Sequence, residues 1–412
     1  MKSTSSYTHF YSPGTVIYYE GEPGNSAFII EKGRVEVSIT RKGNKQIVAE
    51  YTAGDLVGEM SLIDNSPRSA TVIAVEPTEV ITIYRSLFDM AINDVHPVVS
   101  LMIRTIMYHR RKSNPSSLSK PDQEEYYDQK KRNDPEYQRN HAETINLIMA
   151  EQELSDAIDQ RQFQLYYQPI MSIASKQIIG MEALIRWNHP EGDIITAEEI
   201  MPIAEKTSLI KKLGEYIINS ACTDFARLER DFPELNADSP DFFISINLST
   251  KQFIYTDFLE KIKTSILNNE VNPARIMFEI TENILMQDPE SAMNILNDFK
   301  QMGFRIAIDD FGSGYSSLSY LHDFPIDMIK IDRRFVETMH TRPTSMTIIR
   351  AITELARTLD LNVIAEGVES VDQLNVVTEL ACNMAQGYFL AEPLPYPDMV
   401  TLLKVKGQNL LK

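Results

Sequence analysis

The sequence predicts a multidomain α+β and α/β protein: an N-terminal β-roll of the jelly-roll type, a helical linker, and a modified (β/α)8 barrel of the TIM type. Three observations predict this class. The 412 residues suffice for two or three domains. Glycines divide residues 1–85 into short apolar runs, and residues 165–390 alternate short apolar runs with longer amphipathic ones. With 43% hydrophobic and 24% charged residues, a wholly disordered or fibrous chain is excluded.

Residues 1–85 have the pattern of antiparallel β-structure. Their glycines lie at hairpin spacing, and after the turn at residues 32–33 three apolar residues alternate with polar ones: Val35, Val37 and Ile39. This pattern is typical of a small barrel or jelly roll. Residues 86–112 are predicted to be helical, with Pro97 starting a second segment. The first domain is therefore placed at residues 1–112.

A linker is predicted at residues 113–144. Residues 113–141 contain one aliphatic residue, Leu118, and three prolines, so they cannot bury a core and form a linker or an exposed helix. Helical character then returns with one apolar stripe: Ile145, Ile148, Met149, Leu154 and Ile158. This helix either packs on its own domain or forms a homodimer.

The second domain is placed at residues 145–412, where eight strand candidates alternate with helical segments, as in a (β/α)8 barrel. They are residues 165–170, 178–187, 242–248, 276–281, 304–310, 327–332, 361–367 and 384–389. The first two candidates are too close in sequence for a crossover helix. We therefore expect them to be antiparallel, a departure from the regular barrel.

The net charge of −18 is concentrated in the second domain, since residues 142–412 contain 23 basic and 40 acidic residues. Such acidity argues against a nucleic-acid polymer as partner. Solubility and metal ligation both remain possible reasons for it. Two cysteines, no apolar run of about 18 residues and no signal-peptide core in the first 14 residues predict a cytoplasmic protein without a membrane span.

Polar side chains end every strand candidate, at the edge of a barrel where chemistry occurs. They are Gln168, Glu182, Asn247, Glu279, Asp309, Asp310, Lys330, Glu366 and Gln386. One acidic residue at a strand end usually is solvated or caps a helix, but the whole set indicates a function. It is rich in oxygen and lacks His and Cys, which favours Mg²⁺ or Mn²⁺. Adjacent aspartates suit two cations about 3.5–4 Å apart, the arrangement that hydrolyses phosphoryl esters.

On these residues the second domain resembles the EAL family of cyclic di-GMP phosphodiesterases. The matching motifs, between residues 145 and 400, are YQPI, EALIRW, INLS, FEITE, DDFGSGYSSL, IKID, AEGVE and QGYF. The resemblance implies two Mg²⁺ or Mn²⁺ ions on five ligands: Glu182, Asn247, Glu279, Asp309 and Asp310. It also implies Lys330 orienting the attacking water or phosphate, Glu366 as general base or metal-site residue, and Glu282 holding the loop after Asp310. Three residues match substrate contacts: Gln168, Arg186 and Gln386.

Two features near these motifs complete the comparison. The family often has Arg or Lys where this chain has Glu392, which alters a contact near the site or the dimer surface and touches no metal position. The stretch GSGYSS at 312–317 follows the aspartates, so we interpret it as a gating loop rather than a nucleotide-binding loop. Serine at position 313 replaces a common threonine.

The stretch GEMSLIDNSPRSATV, residues 58–72, carries the second chemical signal. Gly58 permits close approach of a phosphate, a helix start presents N–H groups, and Arg68 is suited to bidentate phosphate contact. An ordinary turn with an exposed Glu and Arg has the same spacing. The stretch resembles the phosphate-binding cassette of cyclic-nucleotide-binding domains, over residues 8–112. That resemblance implies a cyclic-nucleotide site at Gly58, Glu59, Met60, Ser61, Arg68 and Ser69, with cyclic AMP preferred over cyclic GMP and the following helix as a lid.

Together these resemblances predict a cyclic-nucleotide-regulated phosphodiesterase that hydrolyses cyclic di-GMP to linear pGpG. The rival is a non-hydrolytic cyclic di-GMP receptor or scaffold. Barrels of that kind usually lack metal ligands, and here none of the matched positions is missing.

Overall fold

The computed structural model describes residues 8–93 except 42 and 65, parts of 95–106, and residues 135–405 except 208, 234–241, 250, 253–255 and 313–320. The chain divides into two compact units, Met1–Ala150 and Glu151–Lys412. The predicted domain boundary at 144/145 lies inside one helix, α3 (Pro135–Asp159).

The first unit is built on two four-stranded antiparallel sheets, and the predicted β-roll is confirmed. One sheet has the order β1-β8-β3-β6 and the other β2-β7-β4-β5. The strands are β1 (Thr8–Tyr11), β2 (Val16–Tyr18), β3 (Ser26–Lys32), β4 (Arg34–Arg41), β5 (Asn44–Thr52), β6 (Leu56–Val57), β7 (Thr71–Ala74) and β8 (Thr78–Tyr84). Two helices follow strands β6 and β8: α1 (Glu59–Asp64) and α2 (Arg85–Asn93).

The alternation predicted for β4 is broken by a register shift between Val37 and Ser38. Val35 and Ile39 are buried as expected, but Val37 is only half-buried and Ser38 takes a buried position. The shift leaves Val48 of β5 without a register partner on β4, and a bulge of this kind locally disrupts the pairing and bends the strand that carries the extra residue. Of the helix predicted at 86–112, α2 forms the first segment, whereas Pro97 lies outside the described residues.

Eight strands close into a ring in the second unit, which confirms the predicted barrel. In ring order they are β9 (Phe163–Ser172), β10 (Ile178–Asn188), β12 (Phe243–Leu248), β13 (Ile276–Thr281), β14 (Arg305–Phe311), β15 (Met328–Ile331), β16 (Asn362–Ala365) and β17 (Met384–Ala385). Two short strands pair outside the ring: β11 (Ile194–Thr196) and β18 (Leu394–Pro395). The ring strands are parallel except β9, which is antiparallel to both β10 and β17. The predicted antiparallel pair is therefore present.

Helices cover the outside of the ring. After α3 they are α4 (Ala197–Lys206), α5 (Leu209–Asp231), α6 (Thr256–Asn269), α7 (Glu282–Gln287), α8 (Pro289–Gln301), α9 (Arg333–Thr338), α10 (Pro343–Thr358), α11 (Val371–Glu379) and α12 (Tyr396–Val405). Among the described residues, no helix combines the length and apolar character that a bilayer crossing needs.

The apolar stripe of α3 has two different environments. Leu154 is buried in the barrel core and Ile158 packs against it, whereas Ile145 and Met149 are exposed. The C-terminal half of α3 therefore packs on the barrel, as one of the two interpretations predicted.

The barrel interior is closed by an apolar layer that includes Phe243, Met277 and Met384. Gly180 makes room for it, because a Cβ at this position would lie 2.8 Å from the Phe243 ring. Side chains on one face of a strand recur every second residue. The next inward position on each strand therefore lies directly above this layer.

Candidate active site

A polar layer lies on the apolar one, and it contains most of the predicted site residues. Each polar side chain lies two residues from an apolar-layer position, along the chain on the parallel strands and against it on β9. The pairs are Gly180 with Glu182, Phe243 with Ser245, Met277 with Glu279, Ala307 with Asp309, Met328 with Lys330, Ile364 with Glu366, Met384 with Gln386, and Ile170 with Gln168. Since β9 is reversed, Gln168 reaches the same level as Glu182, its register partner.

Lys330 lies at the centre of the polar layer and is fully buried. Its Nζ lies 2.5 Å from Glu279 Oε2, 2.6 Å from Glu366 Oε1, 3.3 Å from Asp309 Oδ1 and 3.4 Å from Glu182 Oε2. Burial alone would lower the pKa of Lys330, but these four carboxylates outweigh it and hold the pKa well above its usual value. The ammonium therefore stays charged.

Glu182 is oriented by two amides. Asn247 Nδ2 donates to Glu182 Oε1 at 2.6 Å, and Gln386 Nε2 donates to Glu182 Oε2 at 2.6 Å. Gln386 also donates to Gln168 Oε1 at 3.0 Å, and Gln168 Nε2 donates to the Ala391 carbonyl at 3.2 Å. A chain of hydrogen bonds that begins at the Ala391 carbonyl and runs through Gln168 and Gln386 thus fixes the Glu182 carboxylate.

Asp309 and Asp310 both face the site although they are consecutive. Neighbouring side chains on a strand point to opposite faces, but Asp310 has a left-handed backbone with φ of 52° and the pairing of β14 with β15 shifts between Ile308 and Phe311. The two aspartates and Glu366 consequently offer oxygens that all lie within 4.8 Å of one another. Left-handed backbone at a non-glycine residue is a strain typical of functional sites.

Four carboxylates surround the single positive charge of Lys330, and the pKa values of several carboxyl groups in the site are raised. Burial, together with the charge of Glu182, raises the pKa of Glu279 well above its usual value, and burial raises the pKa of Glu366 to about 8 despite Lys330. The pKa of Asp310 is raised by burial and by Asp309. For Glu182 burial is outweighed by Lys330 and the two amides, so its pKa is lowered.

These residues fit a pair of hard cations. Glu279 Oε1 and Asp309 Oδ1 are buried, and neither receives a hydrogen bond of good geometry from the described residues. Lys330 offsets only part of the buried negative charge of its four carboxylate neighbours, and the remainder is costly unless further cations bind. The donor set is all oxygen, which suits Mg²⁺ or Mn²⁺ rather than zinc.

The remaining predicted residues lie at the rim. Arg186 is half-buried, its guanidinium carbon 5.8 Å from the centre of the Tyr166 ring, and burial lowers its pKa. Glu282 is buried and accepts a hydrogen bond from the Gly312 amide at 3.0 Å, next to the proposed gating loop. Residues 313–317 of that loop lie outside the described residues. Glu392 is exposed beside Ala391, whose carbonyl binds Gln168.

Sequence reasoning missed Asp332, which is buried directly after β15. It caps α9 through the Arg334 amide at 2.8 Å, and its charge contributes to the raised pKa of Asp310. The signal was available, because Asp332 is a polar residue at a strand end like the others.

In the first unit the predicted cassette residues surround Arg68. Arg68 is buried, and its guanidinium donates to the Gly58 carbonyl at 2.9 Å and to Ser26 Oγ at 3.3 Å. Gly58 has φ of +81°, and a Cβ there would lie 2.5 Å from Arg68 Nη1, so glycine is needed. The next three cassette residues, Glu59, Met60 and Ser61, begin α1, and Ser69 Oγ donates to Met60 Sδ at 3.9 Å.

Arg85 was missed by sequence reasoning. It begins α2, and its Nη2 donates to the carbonyls of Gly24 and Ser61 at 3.0 and 2.9 Å. The side chain therefore ties the cassette helix to the start of the predicted lid helix. Arg85 belongs to no recognised motif, and an arginine at the start of a helix does not by itself indicate a function.

The comparisons with known proteins agree with this geometry. Residues 151–393 match the EAL domain family, and residues 8–94 match the cyclic nucleotide-binding domain family. Because the first match covers more than half of the chain, the protein belongs to the EAL family, with an N-terminal cyclic nucleotide-binding domain.

Some similar proteins match only part of this chain, whereas one solved structure matches nearly all of it. MucR of Pseudomonas aeruginosa, a bifunctional diguanylate cyclase/cyclic di-GMP phosphodiesterase, is 38% identical over 60% of this chain and 35% of its own length. The signalling protein YkoW of Bacillus subtilis is 38% identical over 61% of this chain and 31% of its own. The chain thus spans about a third of these curated relatives. The solved structure of the EAL enzyme Bd1971 in its cAMP-bound form is 30% identical over 96% of this chain and 100% of its own, with a TM-score of 0.75.

Proposed function

We propose that this protein hydrolyses one phosphodiester of cyclic di-GMP to give linear pGpG, and that a cyclic nucleotide bound to the first unit regulates the reaction. The observation that supports this most directly is a cluster of five carboxylates at the carboxyl ends of the barrel strands, four of which lie within 3.4 Å of the buried Lys330. It is supported by the solved Bd1971 structure with cAMP and cyclic di-GMP bound, which has a TM-score of 0.74 to this chain.

Two Mg²⁺ or Mn²⁺ ions would be held by Glu182, Asn247, Glu279, Asp309 and Asp310. When bound, the cations would polarise the phosphodiester and make a water acidic. Asn247 donates from its Nδ2 to Glu182, and its amide oxygen is the atom that would bind a cation. Gln168 and Gln386 keep the Glu182 carboxylate in place from the opposite side.

The cationic residues stabilise the charge of the phosphodiester. Lys330 is surrounded by carboxylates and stays protonated, so it offers a fixed positive charge next to the reacting phosphate. Arg186 at the rim has a fork of donors suited to phosphate oxygens. Glu366 lies 2.6 Å from Lys330 Nζ and would act as general base toward the attacking water or as a metal-site residue.

Regulation requires that the cyclic nucleotide bind one conformation of the protein more tightly than another. Arg68 and the start of α1 would hold the cyclic phosphate, and Glu59 would accept from the ribose hydroxyl. Cyclic AMP is our preferred ligand, and the Bd1971 structures contain cAMP or cGMP. Arg85 joins the cassette to α2, so a shift of α1 on binding would reach the predicted lid helix.

The test is pGpG formation by the purified full-length protein in Mg²⁺ or Mn²⁺, across concentrations of cyclic AMP and cyclic GMP. We expect metal-dependent turnover that changes with the nucleotide. Glu182→Gln should remove turnover, and the matched control Glu354→Gln, at an exposed ion pair on α10, should retain it. Turnover that is unchanged at saturating nucleotide would contradict the regulatory part alone.

The same assay distinguishes the proposed enzyme from the rival function, a non-hydrolytic receptor. A receptor would bind cyclic di-GMP in calorimetry and release no pGpG with either metal. The intact carboxylate cluster favours the enzyme.

We also propose a homodimer, supported by the exposed side chains of Ile145 and Met149 on α3. Light scattering of the wild type and of Met149→Glu tests it. A monomeric wild type would contradict the dimer without bearing on turnover.

A further inference from the structure

The guanidinium of Arg68 lies over two aromatic rings inside the β-roll. Its carbon Cζ is 4.1 Å from the centre of the Tyr18 ring and 5.8 Å from that of Phe28. The rings stack on each other, with centres 6.0 Å apart and planes at 21°. A cation within about 6 Å of a ring face is attracted by the ring quadrupole. Tyr18 and Phe28 together are called the aromatic platform below.

The aromatic platform is held by both sheets. Tyr18 ends β2 and pairs with Val72, whereas Phe28 lies in β3 and pairs with Val57 and Thr82. Phe28 belongs to the buried core of this unit and Tyr18 packs against that core. The register of the two sheets therefore fixes the rings, and the rings in turn define the position of the Arg68 guanidinium that packs on them.

Arg68 is held from the other sides by neutral groups. Its guanidinium donates to Gly58 and Ser26, and its backbone amide donates to the Glu22 carbonyl at 2.8 Å. The Nε–H is buried and has no acceptor among the described residues. A cation that is removed from water and keeps an unused donor is poised for an anion.

We propose that Tyr18 is a positioning residue for nucleotide binding: it holds the Arg68 guanidinium ready for the phosphate of a cyclic nucleotide. This inference rests on the proposed role of Arg68 as the phosphate contact. An arginine side chain has many rotamers, and one that is already ordered loses less freedom when the ligand binds. Tyr18 thus sets affinity through Arg68 without a need to touch the ligand.

The positioning is tested first in the ligand-free, full-length protein. Arginine Nε–Hε groups are observed by NMR, and the Arg68 signal is assigned as the one missing from Arg68→Met. We expect an upfield-shifted, slowly exchanging signal that Tyr18→Phe retains and Tyr18→Leu loses. A signal that is unchanged in Tyr18→Leu would overturn the positioning, whether or not the protein binds nucleotides.

The consequence for affinity is tested by calorimetry with cyclic AMP and cyclic GMP. Tyr18→Leu should weaken binding about tenfold, Tyr18→Phe should stay within about twofold, and Tyr18→Leu should have no further effect in Arg68→Met. Tyr11→Leu, another partly buried tyrosine of the same core, is the matched control and should bind like the wild type.

Equal losses from Tyr18→Leu with and without Arg68 would show that Tyr18 acts by another route and overturn the proposal. A wild type that binds neither nucleotide would overturn the proposed ligand, and with it the affinity role of Tyr18. The NMR signal would then still decide whether Tyr18 positions Arg68.

Discussion

Gln386 Nε2 donates a 2.6 Å hydrogen bond to Glu182 Oε2, although the two residues are 204 positions apart in the chain. The same nitrogen donates to Gln168 Oε1 at 3.0 Å. One amide therefore connects three strands where the barrel closes. Removing a group that holds a metal-binding carboxylate in this way typically lowers the affinity for the metal by about 10–100-fold.

Gln386→Leu should weaken metal binding because Glu182 loses a donor and gains rotamer freedom. We expect the Mn²⁺ concentration for half-maximal turnover to rise about 10-fold or more, with the fold intact. Titration of turnover with Mn²⁺ measures it. Gln152→Leu, at an exposed position of α3, is the control, and equal metal dependence of both variants would contradict the role of Gln386.

Lys330→Met should destabilise the metal-free protein at pH 8, because four carboxylates lose their shared cation. Breaking a buried ion pair costs about 3–5 kcal/mol in the free energy of unfolding. The control Lys300→Met removes a partly exposed pair with Asp327 and should cost about 1 kcal/mol or less. Urea denaturation with and without Mg²⁺ compares them, and equal losses would show that the polar layer does not depend on Lys330.

Asp310→Asn should separate stability from activity. Asparagine tolerates a left-handed backbone, and the change removes a charge that Asp309 repels. The metal-free variant should therefore unfold at a higher temperature than the wild type and lose turnover. A variant that is less stable in the absence of metal would show that Asp310 is not strained electrostatically.

The metal-free protein should lose stability as the pH rises. Glu366 has a usual pKa of 4.5 and a folded-state pKa of about 8, and burial together with the charge of Glu182 raises the pKa of Glu279 well above its usual value. The folded state thus holds protons that the unfolded state has released. The stability they provide is complete below pH 4.5 and declines as the pH rises to about 8.

Cations compete with those protons, so the rise in unfolding temperature on adding Mg²⁺ should be larger at pH 8 than at pH 6. Differential scanning fluorimetry measures it. Glu366→Gln should flatten the pH dependence of the metal-free protein. A stability that increases between pH 6 and 8 without metal would contradict the assignment.

Much of the barrel was predictable, because each strand is an apolar run and a parallel sheet needs both faces apolar. The short segment between the first two strands sufficed to predict the reversed β9. The set of strand-end oxygens followed from the same pattern, since every strand ends at the same level. The same pattern also includes Asp332, a buried polar residue directly after β15 that was not predicted as part of the site.

Other features depend on contacts that no sequence pattern encodes. Adjacent aspartates at 309 and 310 do not reveal that a left-handed residue turns both inward. The cassette motif identifies Arg68, but its place over Tyr18 depends on two strands from different sheets. The homodimer and the cytoplasmic location stay predictions.

The reversed strand β9 has a consequence for how the chain enters the barrel. Because Phe163 pairs with Trp187, β9 starts at the end of the barrel where the carboxylates lie and runs away from it. In a barrel whose strands are all parallel, the incoming segment would arrive at the far end. Here α3 delivers the chain to the reactive end, where His189 after β10 contacts Glu153 at 2.9 Å. Gln168 lies on the strand that directly follows α3, so β9 alone connects this helix to the hydrogen bonds around Glu182.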